Sequence, residues 1–329
     1  MPAIPMVELW RGGLLESTHL GHAVICREGE IVEAWGQPET VIFPRSSCKM
    51  VQALPLVESG AADAFGLTQA QLALSCASHQ GARLHAGMAE DWLRGIGLGE
   101  PDMRCGAHEP YDRTERNRLI EGHEAPCQLH NNCSGKHSGF LTLNKHLGGG
   151  SEYVEVDHPV QRAVRAATEE VAGETAAGYG VDGCSAPNFA ISLAGLGRSM
   201  SHFAAASAGG TLRQRAMHRL ARAMAMHPEL VAGEGRASTE LMRAMEGRVT
   251  LKSGAEAVFI AILPEQKLGM AVKITDGGGR AAEAAMAALL VRAGVLDANH
   301  SAAKKRLNAV QTNWRGRETG ILQLAKGFL

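Results

Sequence analysis

Two strand-like hairpins, one near each end of the chain, constrain its fold more than any other feature. His22-Ala23-Val24-Ile25-Cys26 runs into a Glu28-Gly29 turn and returns as Ile31-Val32-Glu33-Ala34-Trp35, after an earlier alternating stretch at Val7-Glu8-Leu9-Trp10. Far along the chain, Ala257 to Leu263 meets the turn Pro264-Glu265-Gln266-Lys267 and returns as Gly269 to Ile274. The sequence between them is mostly helical in pattern. Thr68 and Gln71 form a capping box ahead of Leu72-Ala73-Leu74, and Leu212 to Met226 repeats apolar residues at helical spacing against Arg213, Arg215, Arg219 and Arg222. After Gly277-Gly278-Gly279, residues Ala281 to Ala293 are strong helix formers with an Ala/Met/Leu face. The expected class is α+β: an antiparallel sheet from the N- and C-terminal segments (about 1–45 and 250–329) with an inserted helical subdomain (about 46–249), all one unit over residues 1–329. Gly148-Gly149-Gly150-Ser151 reads as a soft loop joining helices within that unit, and no internal repeat is evident.

Composition narrows the function classes. Lys plus Arg number 33 against 34 Asp plus Glu, a net charge of -1, so no summed field gathers a phosphate backbone or an anionic membrane. Neither nucleic acid nor a membrane is an expected partner. The start, Met1-Pro2-Ala3-Ile4-Pro5, lacks the basic and apolar regions of a secretory signal, and no apolar run approaches the ~20 residues of a membrane span. The chain therefore reads as cytoplasmic. Its seven cysteines are odd in number and scattered, which suits thiols or metal ligands better than crosslinks. Aromatics are only 4%, so specificity has to come from polar groups.

Two segments carry chemistry. In Phe43-Pro44-Arg45-Ser46-Ser47-Cys48-Lys49, a proline before serine and then good helix formers place Ser46 at a helix start, with Lys49 three residues on and on its face. A serine hydroxyl is a poor nucleophile until a neighbour takes its proton, and a lysine does so only when burial or a nearby cation lowers its pKa from about 10.4. Arg45 supplies a candidate cation, and the helix start offers N–H groups where an oxyanion would develop. Read alone, a capped helix with a solvated lysine is the plainer account of Ser-x-x-Lys.

The second segment, His130-Asn131-Asn132-Cys133-Ser134-Gly135-Lys136-His137, concentrates polar and small residues ahead of helix-like sequence. Cys133, with Lys136 or His137 and with Cys184 of Val181-Asp182-Gly183-Cys184, could converge on a metal with three protein ligands and a water, the arrangement of an open zinc site. His137 is the more usual ligand of the two, since lysine binds only when neutral. Spacing alone gives buried reduced cysteines as the simpler reading.

Together these blocks resemble the asparaginase II family, the rhizobial-type or class 3 L-asparaginases. The resemblance rests on Pro44-Arg45-Ser46-x-x-Lys49 running to Pro55, Ala77-Ser78-His79-Gln80-Gly81, the His130–His137 block, Val181–Cys184 and Lys252-x-Gly254-Ala255-Glu256. It extends from Arg11-Gly12 to Asp276–Arg280. The resemblance implies hydrolysis of L-asparagine to L-aspartate and ammonia on a fold similar to serine β-lactamases and glutaminases, usually as a homodimer. It implies two Ser-Lys pairs, Ser46 with Lys49 and Ser78 with Lys252, and a Zn2+ site on Cys133, Lys136 and Cys184. Lys136 thereby displaces His137 as ligand, and His137 becomes a contact to the metal's surroundings or the substrate. Gly254 is expected beside the substrate. So is Arg236, in the Gly233–Thr239 block whose Ala237-Ser238 departs from the family pattern.

The expected mechanism follows. Ser46 attacks the side-chain amide, Lys49 accepts its proton, and helix-start N–H groups hold the oxyanion, while spacing leaves Ser78 open as the alternative nucleophile. Ser78 and Lys252 relay protons to the leaving amine and keep Lys49 neutral. The planar fork of Arg45 could pair with the substrate carboxylate, and Asp182 could orient Lys136 or a bound water. A glutaminase or another β-lactamase-like acyl transferase is the nearest alternative, followed by a non-catalytic amino-acid-binding protein.

Overall fold

The computed structural model describes residues 2–329. Its main sheet is antiparallel and eight-stranded, built from β1 (Ile4–Arg11), β2 (Leu14–Arg27) and β3 (Glu30–Trp35) at one end of the chain. A short β4 (Val41–Ile42) leads out of it. Inside the helical segment lie β5 (Gly178–Val181) and β6 (Pro187–Ser192), and the sheet resumes with β7 (Thr250–Gly254), β8 (Val258–Leu263), β9 (Leu268–Ile274), β10 (Ala309–Thr312) and β11 (Glu318–Leu324). The order is β10-β11-β1-β2-β9-β8-β7, with β3 paired to the second half of β2. The two expected hairpins are therefore adjacent: Val24 of β2 faces Ala271 of β9, and Ala271 faces Ile260 of β8.

All six residues of β8 are buried. Helix Leu193–Ala205 and helix Gly279–Arg292 both pack on β8 and β9, which removes both faces of these strands from water and explains their unbroken apolar runs. Fully burying one such side chain contributes about 1.5–3 kcal/mol. The remaining helices form the other half of the molecule around helix Ser134–Leu147, whose residues 134 to 144 are all buried. The Thr68 capping box and the helix Leu212–Met226 form as the sequence predicts.

One feature differs from the expectation. The inserted segment is not purely helical: β5 and β6 pair with each other and β6 pairs with β4, giving a second sheet of three strands. Its strands are too short, at two to six residues, to set an alternating pattern against the surrounding helices. The C-terminal hairpin β10–β11 also extends the main sheet beyond β1. No helix among the described residues is long and apolar enough to cross a membrane.

Candidate active site

Ser46 stands in a 3-10 turn, Arg45–Cys48, directly after β4, and Lys49 opens the helix Lys49–Gln52 that follows. No side chain caps this turn. In the first turn of a helix the backbone N–H of Ser46 has no carbonyl behind it to accept a hydrogen bond. Ser78 follows helix Gln69–Ser75 and is pinned by its own N–H to the Val231 carbonyl at 2.9 Å, while His79 beside it donates to the Asn132 carbonyl at 3.2 Å. Lys252 is the third residue of β7, and Gly254 shares its face of the strand. That face meets the Ser46 turn. A Cβ on Gly254 would lie 2.9 Å from both the Pro44 carbonyl oxygen and the Ser47 nitrogen, and 3.3 Å from the Ser46 nitrogen. Only glycine lets β7 come this close.

These elements enclose a cavity of about 380 Å³ whose wall includes Ser46, Ser78, Gly254 and Arg236, together with Gln80, Tyr111, Asn132 and Ser253. Lys49 and Lys252 are each 1% exposed and do not line the cavity. Lys49 donates to the Ala77 carbonyl and, at 3.0 Å, to Cys133 Sγ. Lys252 donates to the Ser253 carbonyl at 2.7 Å. Ser78 Oγ is buried without a hydrogen-bond partner among the described residues. Burial first, and then the charge of Lys49, pushes Lys252 well below the ordinary lysine range. An amine taken out of water beside another cation relieves the cost by giving up its proton. The expectation placed the neutral amine at Lys49 and the helping cation at Lys252; here burial and the Lys49 charge act on Lys252.

Arg236 is exposed on the cavity wall and makes no ion pair among the described residues. Arg45, by contrast, is turned away from this cavity. Its Nη2 and Nε reach Asp182 Oδ1 at 2.8 and 3.2 Å, and it lines a separate hollow with His22 and Lys273. His137 is fully buried, its Nδ1 2.8 Å from the Tyr153 hydroxyl, with its ring edge-on to Phe140 and Tyr153. Neither Arg45 nor His137 lies on the wall that carries the serines, and His137 stands beside Cys184, in the metal-surroundings role that was one of its two expected places. Asp182 is likewise engaged by Arg45 and by the Gly183 N–H rather than by Lys136.

The sequence profile of the L-asparaginase II family matches residues 7–324. The chain belongs to the L-asparaginase II family. Membership makes it an amidohydrolase of asparaginase type. Among solved structures this asparaginase II chain is similar to a beta-lactamase from Mycobacterium bovis, at 12% identity and a TM-score of 0.44, covering 83% of this chain and 94% of that one. It is also similar to an octameric penicillin-binding protein homologue from Pyrococcus abyssi, at 14% identity and a TM-score of 0.38, covering 90% and 80%. No curated protein matches its sequence.

The asparaginase II chain gathers its three candidate metal ligands next to the lysines. Cys133, Lys136 and Cys184 are all buried, and Lys136 Nζ lies 2.9 Å from Cys184 Sγ. The closeness of the two thiols, more than their burial, raises Cys133 and lowers Cys184. Burial works against the charge of Lys136, but the thiols of Cys184 and Cys133 override it and raise the amine. The buried Nε2 of His137 has no hydrogen-bond partner among the described residues, although the Cys184 thiol is close enough to act on the ring. Two soft sulfur donors and an orphaned imidazole nitrogen in one dry site fit a zinc ion, whose binding would displace the Lys136 proton and free the amine as a further donor. No group of three His, Cys, Asp or Glu side chains among the described residues is placed to hold a metal, so the set depends on Lys136 as the third donor.

Several wall residues of this asparaginase II site were not singled out from sequence. Gln80 and Asn132 sit inside the Ser78 and Cys133 blocks, and their chain proximity was the available signal. Tyr111 lies on a stretch without regular structure, 61% exposed and edge-on to His108, and nothing in its sequence neighbourhood marks it.

Proposed function

We propose that this protein hydrolyses L-asparagine to L-aspartate and ammonia, with Ser46 as the nucleophile. The observation that carries the reading is two serine side chains on one cavity wall, with buried Lys49 bonded to the carbonyl preceding Ser78 and buried Lys252 to that of the wall residue Ser253. Amide cleavage needs a base for the attacking hydroxyl and an acid for the leaving amine. Ser46 is half-buried and lines the cavity, whereas the Ser78 hydroxyl oxygen is enclosed, which favours Ser46 as the attacking group. Its oxygen adds to the amide carbon, and the free N–H of the first helical turn faces the charge that develops on the carbonyl oxygen. The Ser46 proton goes to the lysine pair, with Lys252 as final acceptor. The partnerless hydroxyl of Ser78 passes a proton on to the departing nitrogen. Ammonia leaves, an ester between Ser46 and the aspartyl side chain remains, and water cleaves it by the reverse sequence of proton transfers.

The unpaired guanidinium of Arg236 is the group best placed to receive the substrate α-carboxylate, in the role first expected of Arg45. A cavity of about 380 Å³ suits a single amino acid. Cys133, Lys136 and Cys184 would hold a zinc ion. When bound, it would supply a fixed positive charge that ties the Cys133 loop to the Cys184 turn, an organising role that leaves the attack to serine.

Ammonia release measured on L-asparagine, L-glutamine and a chromogenic β-lactam tests the reading. L-asparagine is expected to react fastest, and one extra methylene in glutamine should cost roughly 10–200-fold. Preference for glutamine or for the β-lactam would replace the substrate assignment, and absence of turnover on all three would refute catalysis of this kind.

A further inference from the structure

We propose that Arg45 is a positioning residue, tethering the turn that presents Ser46 rather than touching the substrate; the inference rests on Ser46 being the nucleophile. Arg45 precedes Ser46 and has φ at +54°, in the left-handed region. For a residue with a Cβ this conformation is strained, so surrounding contacts must hold it. Three do. Its N–H donates to Asn188 Oδ1 at 3.2 Å, and Asn188 is buried on β6. Its carbonyl accepts from the Cys48 thiol at 3.2 Å. Its guanidinium donates through Nη2 at 2.8 Å and Nε at 3.2 Å to the single oxygen Asp182 Oδ1.

The anchor at the far end is itself fixed. The Asp182 N–H donates to the Ala186 carbonyl, and the Asp182 carbonyl accepts from the Ser185 N–H at 2.8 Å. The Asp182 side chain is 12% exposed and that of Arg45 28%, so the pair is partly shielded from water and better able to hold geometry than a surface ion pair. On its other side the turn is pressed by Gly254, whose backbone admits no Cβ there. Ser46 is thus aimed by a left-handed step clamped between β6, the Asp182 turn and β7. Release of that step rotates the chain at residue 45 and displaces the Ser46 hydroxyl and N–H together. A misplacement of about 1 Å at a reacting atom can cost ~100-fold in rate.

Glycine separates the tether from the backbone it holds. Arg45→Ala removes the guanidinium and keeps the left-handed penalty, so the turn relaxes. Arg45→Gly also removes the guanidinium but adopts positive φ freely. On purified full-length protein with L-asparagine, Arg45→Ala is expected to lower kcat about 100-fold with KM within about threefold of wild type. Arg45→Gly should regain about tenfold of that loss. Asp182→Ala should resemble Arg45→Ala, and the double variant should be no worse than either alone. A rise in KM with kcat intact would make Arg45 a substrate contact and overturn the proposal. So would Arg45→Gly no faster than Arg45→Ala, or losses that multiply in the double variant. If Arg45→Ala does not fold, as judged by its melting curve, Asp182→Ala and Arg45→Lys, the latter expected to lose about tenfold, decide on the same criteria.

A second readout is the rate at which phenylmethylsulfonyl fluoride sulfonylates Ser46, mapped by mass spectrometry. It should fall and recover in the same order across the variants. Wild-type protein that is sulfonylated at Ser46 but releases no ammonia from asparagine would refute the substrate reading alone, and the order of labelling rates would then judge the tether. Full turnover by Ser46→Ala would refute both.

Discussion

Gly254→Ala offers the sharpest mechanical test of how β7 and the Ser46 turn are fitted together. The added methyl carbon would stand 2.9 Å from the Pro44 oxygen and the Ser47 nitrogen, about half an ångström inside ordinary contact, and 3.3 Å from the Ser46 nitrogen. These neighbours are backbone atoms, so no side chain can swing aside. Either the end of β7 or the Arg45–Cys48 turn has to move by about that distance. Overpacking of this kind costs roughly 1–3 kcal/mol, which in a chain of this size lowers Tm by a few degrees. The kinetic effect follows from where the movement falls. If a 1 Å displacement at a reacting atom costs ~100-fold, half of that costs about tenfold, so kcat on L-asparagine should fall about tenfold with a smaller change in KM. A coupled assay of ammonia release, run beside a thermal melt, reads both quantities. A variant that melts several degrees lower but keeps wild-type kcat would show that this contact holds the fold without aiming the serine, and the reasoning would fail.

Other expectations follow from the same site. Because burial and Lys49 hold the Lys252 amine well below the usual lysine range, kcat/KM should rise with pH through that lowered value, and Lys252→Met should abolish this limb with most of the activity. Between the lowered folded value and the ordinary ~10.4, the unfolded chain carries the extra proton, so stability rises with pH across that window. Lys252→Met should flatten the rise and melt higher than wild type at pH 7; an unchanged or lower Tm would contradict the unfavourable burial. Arg236→Ala should raise KM for L-asparagine about 10–100-fold with kcat nearly unchanged, since a charge-assisted contact is worth about 1.5–3 kcal/mol; a loss confined to kcat would place Arg236 elsewhere in the reaction. Protein purified without chelator should contain roughly one zinc per chain and Cys184→Ser should lose it, whereas metal-free protein with full activity would remove zinc from the account.

The sheet was legible because its strands carry their own signatures: alternation in Ile31–Trp35 and long apolar runs in β8 and β9, each closed by a recognisable turn. The strands β4, β5 and β6 were not, since two to six residues cannot display a period and their pairing is set by contacts far along the chain. At the site, a local motif marked Ser46 and the family resemblance pointed to Ser78, Lys252 and Gly254; one cavity wall carries Ser46, Ser78 and Gly254. Direction was the harder property. Nothing in the order of residues 44 to 49 reveals that Arg45 takes a left-handed step and points to Asp182, or that His137 is enclosed by Phe140 and Tyr153. Charge state was also hidden: Ser-x-x-Lys points to Lys49, but only the three-dimensional surroundings show that burial and a neighbouring cation act on Lys252.

The most direct measurement is turnover of L-asparagine by Ser46→Ala compared with Ser78→Ala. Loss of the nucleophile should reduce kcat by at least about 10³-fold in Ser46→Ala, while Ser78→Ala, lacking only a proton carrier, should lose roughly 10²-fold. Near-normal ammonia release by Ser46→Ala would contradict the account and move the attack to another group.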